Sequence, residues 1–327
     1  MTRILAVSFE LDSEAQEALE EAIAGAAQIV VLAGQDAKSR LAVLQQAEIV
    51  LMKHPANELA QDEIAAIGKA RLIQLMTAGV DFIPIGDLPP GVSVASNAGA
   101  YSEPMAEHAL AMALAAAKRL LIEHGALGRG SFNQQTRNRM LAGMVCGIVG
   151  YGGIGQATAR LMRALGVKIH AINRSGATSQ PVDWIGTTQQ LGALLVASDV
   201  LIVSAPLTRA TQGLIGGREL ALMKHDAILI NLARGEIIDE AALFAHLQVH
   251  PNFTACLDAW WIEPVRHGAF RLDYPFLTLP NVIGSPHNSA SVPQSSAIAL
   301  RMAGRNCRRQ LDGEQVLNLV GPQDRFL

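Results

Sequence analysis

Residues 144–155 read Met-Val-Cys-Gly-Ile-Val-Gly-Tyr-Gly-Gly-Ile-Gly, and residues 167–175 read Val-Lys-Ile-His-Ala-Ile-Asn-Arg-Ser. The first apolar run ends at a glycine, which is typical of a buried parallel strand. Three glycines follow in the spacing G-x-G-x-x-G, helical periodicity covers residues 156–165, and a second strand is predicted over 167–172. This order predicts a dinucleotide-binding unit, the alternative being a glycine-rich turn in another kind of α/β protein.

Each glycine has a physical role in such a turn. Gly150 permits the tight turn, Gly152 lets backbone amides approach a pyrophosphate, and Gly155 lets the helix pack close to the sheet. The N-terminus of the helix adds free N–H groups and the positive end of the helix dipole. The predicted phosphate-binding segment is therefore the run of Gly150, Tyr151, Gly152, Gly153, Ile154 and Gly155.

The end of the second strand indicates which dinucleotide binds. An acidic residue there would bind the ribose 2′-hydroxyl of NAD, but this chain has Asn173, followed by Arg174 and Ser175. No carboxylate repels a 2′-phosphate, and a guanidinium and a hydroxyl group can bind one. These residues favour NADP(H). NAD(H) is the alternative, in which Arg174 stacks on adenine or faces solvent.

Composition narrows the class of protein. The chain has 327 residues, half of them hydrophobic, which suggests two domains with aliphatic cores. The net charge of −3 and the lack of a basic run argue against nucleic acid as a partner. The cysteines lack metal-binding or redox spacing, so we expect no metal and a reducing cytoplasm. We expect neither a signal peptide nor a membrane-spanning segment.

Strand and helix patterns alternate along the chain, which predicts parallel sheets flanked by helices. Five strands are predicted before residue 98 and six in a second sheet that begins at Met144. Helices are predicted over 13–25 with Ser13 as N-cap, 57–68, 102–123 and 291–311, with an irregular segment over 125–141. Because the dinucleotide motif lies halfway along the chain, we expect one domain from residues 1–98 and 290–327 and another from 99–289.

Three polar positions follow predicted strands of the second sheet. Arg234 lies between Ala233 and Gly235, where a guanidinium suits a carboxylate. Glu263 lies in an apolar, aromatic segment, and His287 follows Ser-Pro. A histidine paired with a glutamate can act as a general acid near neutral pH. Each residue alone is more often structural, so their interpretation depends on their joint order after the dinucleotide motif.

With these motifs the chain resembles the D-isomer-specific 2-hydroxyacid dehydrogenase family over nearly its whole length. The resemblance implies a flavodoxin-like substrate domain made of both chain ends, an inserted Rossmann dinucleotide domain, and a homodimer in which the long helix from Ser102 packs across the interface. The motifs that carry it are Gly150–Gly155, Ala205-Pro206-Leu207-Thr208 with Thr211, Leu214-Ile215, Asn231-Leu232-Ala233-Arg234-Gly235, Glu263-Pro264, Ser285-Pro286-His287, Ala78-Gly79-Val80-Asp81 and Met105-Ala106-Glu107-His108.

The resemblance also implies roles for single residues. Arg234 would anchor the substrate, His287 would be the acid/base with Glu263 as its partner, and backbone amides of Ala78 and Gly79 would hold the substrate carboxylate. Beyond the phosphate-binding segment and residues 173–175, the implied cofactor contacts are Ala205, Pro206, Thr211, Leu232, Ala233, Arg234, Asp258 and His287. Of these, Ala205, Pro206 and Asp258 would line the nicotinamide.

Some side chains leave two interpretations open. Lys53 either binds the substrate, as a cation for a doubly charged or phosphorylated acid, or is a surface lysine. Trp260 and Trp261 either border the substrate pocket or fill the hinge. His54 and His108 are interpreted as structural.

The predicted reaction transfers hydride between a nicotinamide and C2 of a small 2-oxo or 2-hydroxy acid, as in glyoxylate or hydroxypyruvate reductases that prefer NADP. Alternatives within the family act on phosphite or another acid, whereas formate dehydrogenases pair the histidine with a different residue. A dinucleotide-sensing corepressor is the alternative from another class. The set of Arg234, Glu263 and His287 favours the enzyme.

Overall fold

The computed structural model of the protein describes residues 2–324. The chain divides into two compact units, one made of Met1–Tyr101 and Val292–Leu327 and the other of Ser102–Ser291. The second unit is therefore an insertion in the first. Within the described residues no helix is long and apolar enough to cross a membrane.

The first unit contains a five-stranded sheet in the order β2-β1-β3-β4-β5, with every pair of strands parallel. This order is the flavodoxin-like one. Its strands are β1 (Ile4–Val7), β2 (Gln28–Val31), β3 (Ile49–Met52), β4 (Leu72–Leu75) and β5 (Ser93–Ala95).

The second unit contains a seven-stranded parallel sheet in the order β12-β11-β10-β9-β6-β7-β8. The strand order reverses between β6 and β9, as in a Rossmann fold, so both sheets confirm the predicted fold class. The edge strand β8 lies outside the predicted strands, because it has only two apolar residues before a glycine. The strands are β6 (Val145–Val149), β7 (Lys168–Ile172), β8 (Trp184–Gly186), β9 (Val200–Val203), β10 (Ile228–Asn231), β11 (Thr254–Leu257) and β12 (Val282–Gly284).

Helices connect successive strands in both units. In chain order they are α1 (Ser13–Ile23), α2 (Ala37–Leu44), α3 (Pro55–Glu58), α4 (Gln61–Ala65), α5 (Ser102–Ala117), α6 (Leu120–Gly128), α7 (Gly153–Ala164), α8 (Leu191–Ala197), α9 (Gly217–Leu220), α10 (Glu240–Val249), α11 (Pro264–His267) and α12 (Ser295–Asp312). Short 3₁₀ helices cover Ile85–Asp87, Thr188–Gln190, Gly235–Ile237, Phe276–Thr278 and Pro322–Asp324.

The core of the first unit lies on both faces of its sheet. Alternate strand residues point to opposite faces, so Leu5 and Val7 pack with α1 and α12, whereas Ala6 packs with Leu44 and Ile64 of α2 and α4. The last helix, α12, thus completes the core of the first unit, although it is distant in sequence from the strands of that unit.

The predicted helix over 102–123 is wrong in one respect, because it is two helices. Arg119 adopts a left-handed backbone conformation with φ of 55°, which ends one helix and starts the next. Helix α6 continues to Gly128, so the segment predicted as irregular begins later than expected. Arginine is not a residue type that favours the left-handed conformation, so the break could not be predicted at Arg119.

The predicted helix over 57–68 is also divided, because Leu59 and Ala60 are extended between α3 and α4. At the first helix, the N-cap is Asp12 rather than Ser13. The Asp12 carboxylate accepts a hydrogen bond from the Ala15 N–H at 2.8 Å. Aspartate and serine cap helices equally well, so composition could not distinguish neighbouring candidates.

Candidate active site

The glycine-rich turn joins β6 to α7 with no room for side chains at two positions. Gly150 has a φ of 94°, and a Cβ atom there would lie 2.5 Å from the backbone nitrogen of Ala205. A Cβ atom on Gly155 would lie 2.4 Å from the carbonyl oxygen of Gly150. Both glycines are therefore required by close packing of the turn against β9 and of α7 against β6.

The space around Gly152 is different. No atom lies within 4 Å of a Cβ atom placed on this residue, and both Gly152 and Gly153 are exposed. No side chain of the described residues caps the N-terminus of α7, which has twelve residues. Amides at this helix end can bind a phosphate. The turn thus fits a dinucleotide, with Tyr151 turned away and donating its hydroxyl proton to the Pro181 carbonyl at 3.0 Å.

The loop after β7 is organised by Asn173. Its Oδ1 accepts hydrogen bonds from the Gly176 N–H at 2.7 Å and from the Ser175 hydroxyl at 3.2 Å, and its Nδ2 donates to the Ala177 carbonyl. Arg174 and Ser175 are exposed on this loop. Asn173 therefore shapes a loop that presents a guanidinium and a hydroxyl group at the end of β7.

The loop after β9 is closed by Thr211. Its hydroxyl donates to the Pro206 carbonyl at 2.7 Å and accepts a hydrogen bond from the Thr208 N–H at 2.8 Å. Ala205, at the start of this loop, contacts the glycine turn through its backbone. Ala205 therefore lies beside the phosphate-binding segment, and Pro206 and Thr211 belong to the same loop.

The loop after β10 carries Arg234. The buried Asn231 side chain accepts a hydrogen bond from the Ala233 N–H at 3.0 Å and donates one to the Arg234 carbonyl at 2.9 Å. A Cβ atom on Gly235 would lie 2.5 Å from the carbonyl carbon of Trp260. Gly235 thus brings the Arg234 loop against the loop after β11, and Leu232 and Ala233 are buried beneath it.

Glu263 and His287 are joined by hydrogen bonds. The His287 Nδ1 atom lies 2.9 Å from Oε1 and 2.8 Å from Oε2 of Glu263. Since an ionised carboxylate only accepts hydrogen bonds, Nδ1 carries a proton and Nε2 is left for another partner. The Glu263 residue is 7% exposed, whereas the His287 side chain is 33% exposed. The pair therefore has a buried anion and an accessible imidazole.

The pKa of Glu263 is lower than its ordinary value of 4.5. Burial is the largest single influence and would raise this pKa. The hydrogen bond and charge of His287, the Trp260 N–H at 2.7 Å and the charge of Arg234 together outweigh it. Glu263 is therefore ionised at neutral pH, and its charge stabilises the fold until the pH falls through its lowered pKa.

The loop that carries His287 is bound to Asp258. Asp258 is fully buried, its carbonyl accepts the His287 N–H at 2.9 Å, and its carboxylate accepts the N–H groups of Asn288 and Ser289 and the hydroxyl proton of Ser285. His287 has a left-handed φ of 50°, which a residue other than glycine adopts only when its surroundings impose it. Contact between Asp258 and the nicotinamide stays a prediction.

The two tryptophans are buried within this unit. The Trp260 indole N–H donates to the Ser285 carbonyl at 2.8 Å, and the Trp261 indole N–H donates to the Ile238 carbonyl at 2.8 Å. Trp260 therefore connects the Glu263 loop to the His287 loop. Sequence reasoning missed this connection, because the pairing of an indole with a distant carbonyl has no local signal.

The predicted substrate contacts Lys53, Ala78 and Gly79 belong to the first unit. The Lys53 ammonium lies 4.2 Å from the centre of the Phe9 ring, and Ala78 and Gly79 follow β4. Arg234, Glu263 and His287 all belong to the second unit, where Glu263 and His287 are in direct contact. The candidate residues thus fall in both units, and their shared role in binding a substrate stays a prediction.

Comparison with known proteins shows the family to which this chain is similar. Residues 110–289 match the sequence profile of the D-isomer-specific 2-hydroxyacid dehydrogenase NAD-binding domain. The chain is 30% identical to a D-3-phosphoglycerate dehydrogenase of Methanocaldococcus jannaschii over its full length, and it spans 61% of that relative. It is also 30% identical to a hydroxypyruvate reductase of Thermotoga maritima, with 75% of this chain and 79% of that protein covered.

A solved structure is also similar to this chain. The D-isomer-specific 2-hydroxyacid dehydrogenase from Xanthobacter autotrophicus Py2, in complex with NADPH and MES, is 25% identical, with a TM-score of 0.78 and 98% of this chain and 99% of that chain covered. Fold and site define a dinucleotide-binding α/β protein with an Arg-Glu-His set. The chain belongs to the D-isomer-specific 2-hydroxyacid dehydrogenase family.

Proposed function

We propose that this protein reduces a small 2-oxo acid, such as glyoxylate or hydroxypyruvate, to the D-2-hydroxy acid with NADPH. The observation that carries the proposal is the Glu263–His287 pair, which lies in the same unit as the glycine turn between β6 and α7. In this proposal the second unit binds the dinucleotide, and the first unit supplies further substrate contacts through Lys53, Ala78 and Gly79.

The chemistry follows from the pair. The glycine turn and the loop after β7 would hold a dinucleotide, whose nicotinamide would supply hydride to C2 of the acid, so that negative charge would develop on the carbonyl oxygen. His287 holds one proton on Nδ1 against Glu263 and donates another from Nε2 to that oxygen. Arg234 stabilises the developing charge and anchors the acid. Ionised Glu263 accepts the hydrogen bond from Nδ1, which orients the ring and leaves Nε2 for the acid.

The proposed preference for NADP(H) rests on the loop after β7. Arg174 and Ser175 are exposed there, and Asn173 replaces the acidic residue that would bind the ribose of NAD. The Xanthobacter relative binds NADPH.

A phosphite or other-acid dehydrogenase is the alternative within the family, because the same pair could serve another anion. A dinucleotide-sensing corepressor would need no proton donor. Burying the Glu263 carboxylate costs free energy, and this carboxylate orients His287, which favours the enzyme.

We also propose a reducing compartment, the cytoplasm. Cys146, Cys256 and Cys307 are buried and unpaired, and burial raises the pKa of the Cys146 thiol to about 12. Such thiols are typical of proteins that form no disulfides.

The enzymatic proposal predicts that NADPH is oxidised in the presence of glyoxylate or hydroxypyruvate. The loss of nicotinamide absorbance measures this oxidation. His287→Ala should lower kcat by about 10²–10⁴-fold, because it removes the proton donor. His225→Ala, which changes an exposed histidine of the same unit, is the control. Full activity of His287→Ala would contradict the proposal, as would absence of turnover with every 2-oxo acid tested.

The cofactor proposal predicts that the double variant Arg174→Ala, Ser175→Ala weakens NADPH binding by about tenfold or more, because it removes a charged hydrogen-bond donor to the 2′-phosphate. NADH binding should change little. Fluorescence titration of both nucleotides measures the difference, and Arg218→Ala controls for the loss of an exposed positive charge. Equal weakening of NADH and NADPH binding would contradict the NADP preference.

We propose a homodimer in which α6, which begins within the long helix predicted from Ser102, packs across the interface. Leu120, Leu121 and Leu127 are 55%, 52% and 54% exposed, and no residue of this apolar helix is buried. An exposed apolar helix is typical of a surface that a second copy covers. Sedimentation equilibrium of the wild-type protein should give twice the mass of one chain. The variant Leu121→Glu should give the mass of a single chain. A monomeric wild-type protein would rule out this dimer.

A further inference from the structure

The loop that carries His287 is held by more than Asp258. The Ser285 hydroxyl lies 2.5 Å from Asp258 Oδ1 on one side and 3.0 Å from His108 Nε2 on the other. The single hydroxyl proton of Ser285 goes to the carboxylate, which only accepts. His108 Nε2 is therefore the donor to the serine oxygen, and a chain of hydrogen bonds runs from His108 through Ser285 to Asp258.

Helix α5, which carries His108, packs against β11, the strand that precedes Asp258. One turn further along α5, the Met112 carbonyl lies 3.8 Å from the Cys256 thiol, two residues before Asp258. Residues 108 and 112 share a helix face, and Asp258 directly follows β11, which ends at Leu257. The position of His108 next to Asp258 is thus determined by two rigid elements rather than by a mobile loop.

His108 also lies within ion-pair distance of the buried carboxylate. Its Nε2 atom is 3.8 Å from Asp258 Oδ1, and its side chain is 26% exposed. Four groups of the loop over residues 285–289 depend on Asp258, namely the Ser285 hydroxyl and the N–H groups of His287, Asn288 and Ser289. A donor that fixes Ser285 and faces Asp258 therefore acts on the whole loop.

We propose that His108 is a positioning residue, which fixes through Ser285 and Asp258 the loop that holds the proton donor His287. This inference rests on the proposed function for its kinetic consequence, but its structural consequence is independent of activity. It corrects the interpretation of His108 as merely structural. Local sequence could not show it, because residues 108 and 285 are joined only by the fold.

The test compares two substitutions. His108→Phe keeps an aromatic ring but removes the donor, whereas His108→Gln places an amide N–H near the position of Nε2. His225→Phe makes the same change at an exposed site of the same unit and is the matched control. Thermal unfolding of each variant shows that it is folded before its other properties are compared.

Hydrogen exchange followed by mass spectrometry is the first readout. In His108→Phe, the peptide that covers residues 285–291 should exchange about tenfold faster, because Ser285 and Asp258, which hold this loop, are then less firmly fixed. In His108→Gln and His225→Phe, its exchange should stay close to wild type. Unchanged exchange in His108→Phe would overturn the proposal even if the protein has no reductase activity.

Steady-state reduction of the 2-oxo acid is the second readout. His108→Phe should lower kcat about tenfold, because a misplaced donor slows proton transfer, with the KM for NADPH within about twofold of wild type. His108→Gln should recover most of kcat. Equal losses in the phenylalanine and glutamine variants would show a packing role instead and overturn the proposal. Absence of wild-type turnover would contradict the proposed function alone, since the exchange result then decides the role of His108.

Discussion

The arrangement of the second unit depends on one constraint, namely that the buried carboxylate of Glu263 stays ionised only while its neighbours supply hydrogen bonds and positive charge. Burial by itself would raise the pKa of Glu263, and His287 supplies the largest opposing contribution. The same contact fixes which nitrogen of His287 is available. Stability and the proposed chemistry therefore depend on the same hydrogen bonds.

Close backbone packing brings the loops of this pair together. Gly235 allows the Arg234 loop to contact the backbone of Trp260, and the Trp260 N–H binds Glu263. Asp258 lies under the next loop and holds His287 in a left-handed conformation. A strained backbone conformation such as that of His287 persists only where surrounding contacts impose it, and such conformations are common at active sites.

Much of the fold could be predicted from the sequence, because apolar runs of four or five residues mark most strands and the spacing from Gly150 to Gly155 marks the turn. The break at Arg119 and the division at Leu59 and Ala60 could not be predicted, since neither is marked by glycine. For the candidate site, the motifs predicted roles for Glu263 and His287, whose side chains lie within hydrogen-bond distance of each other. The link from His108 to Asp258 required the fold, because it joins residues that are far apart in sequence.

The ionisation of Glu263 is the most direct test of the central claim that this carboxylate and His287 form a charged pair. Carbon-13 NMR titration of labelled glutamate, with the signal assigned by Glu263→Gln, should give a pKa below 4.5 in the wild-type protein. In His287→Leu the pKa of Glu263 should be higher than in wild type, because burial is then less strongly opposed. A carboxylate that is protonated near neutral pH in wild type, or a pKa that His287→Leu leaves unchanged, would contradict the account.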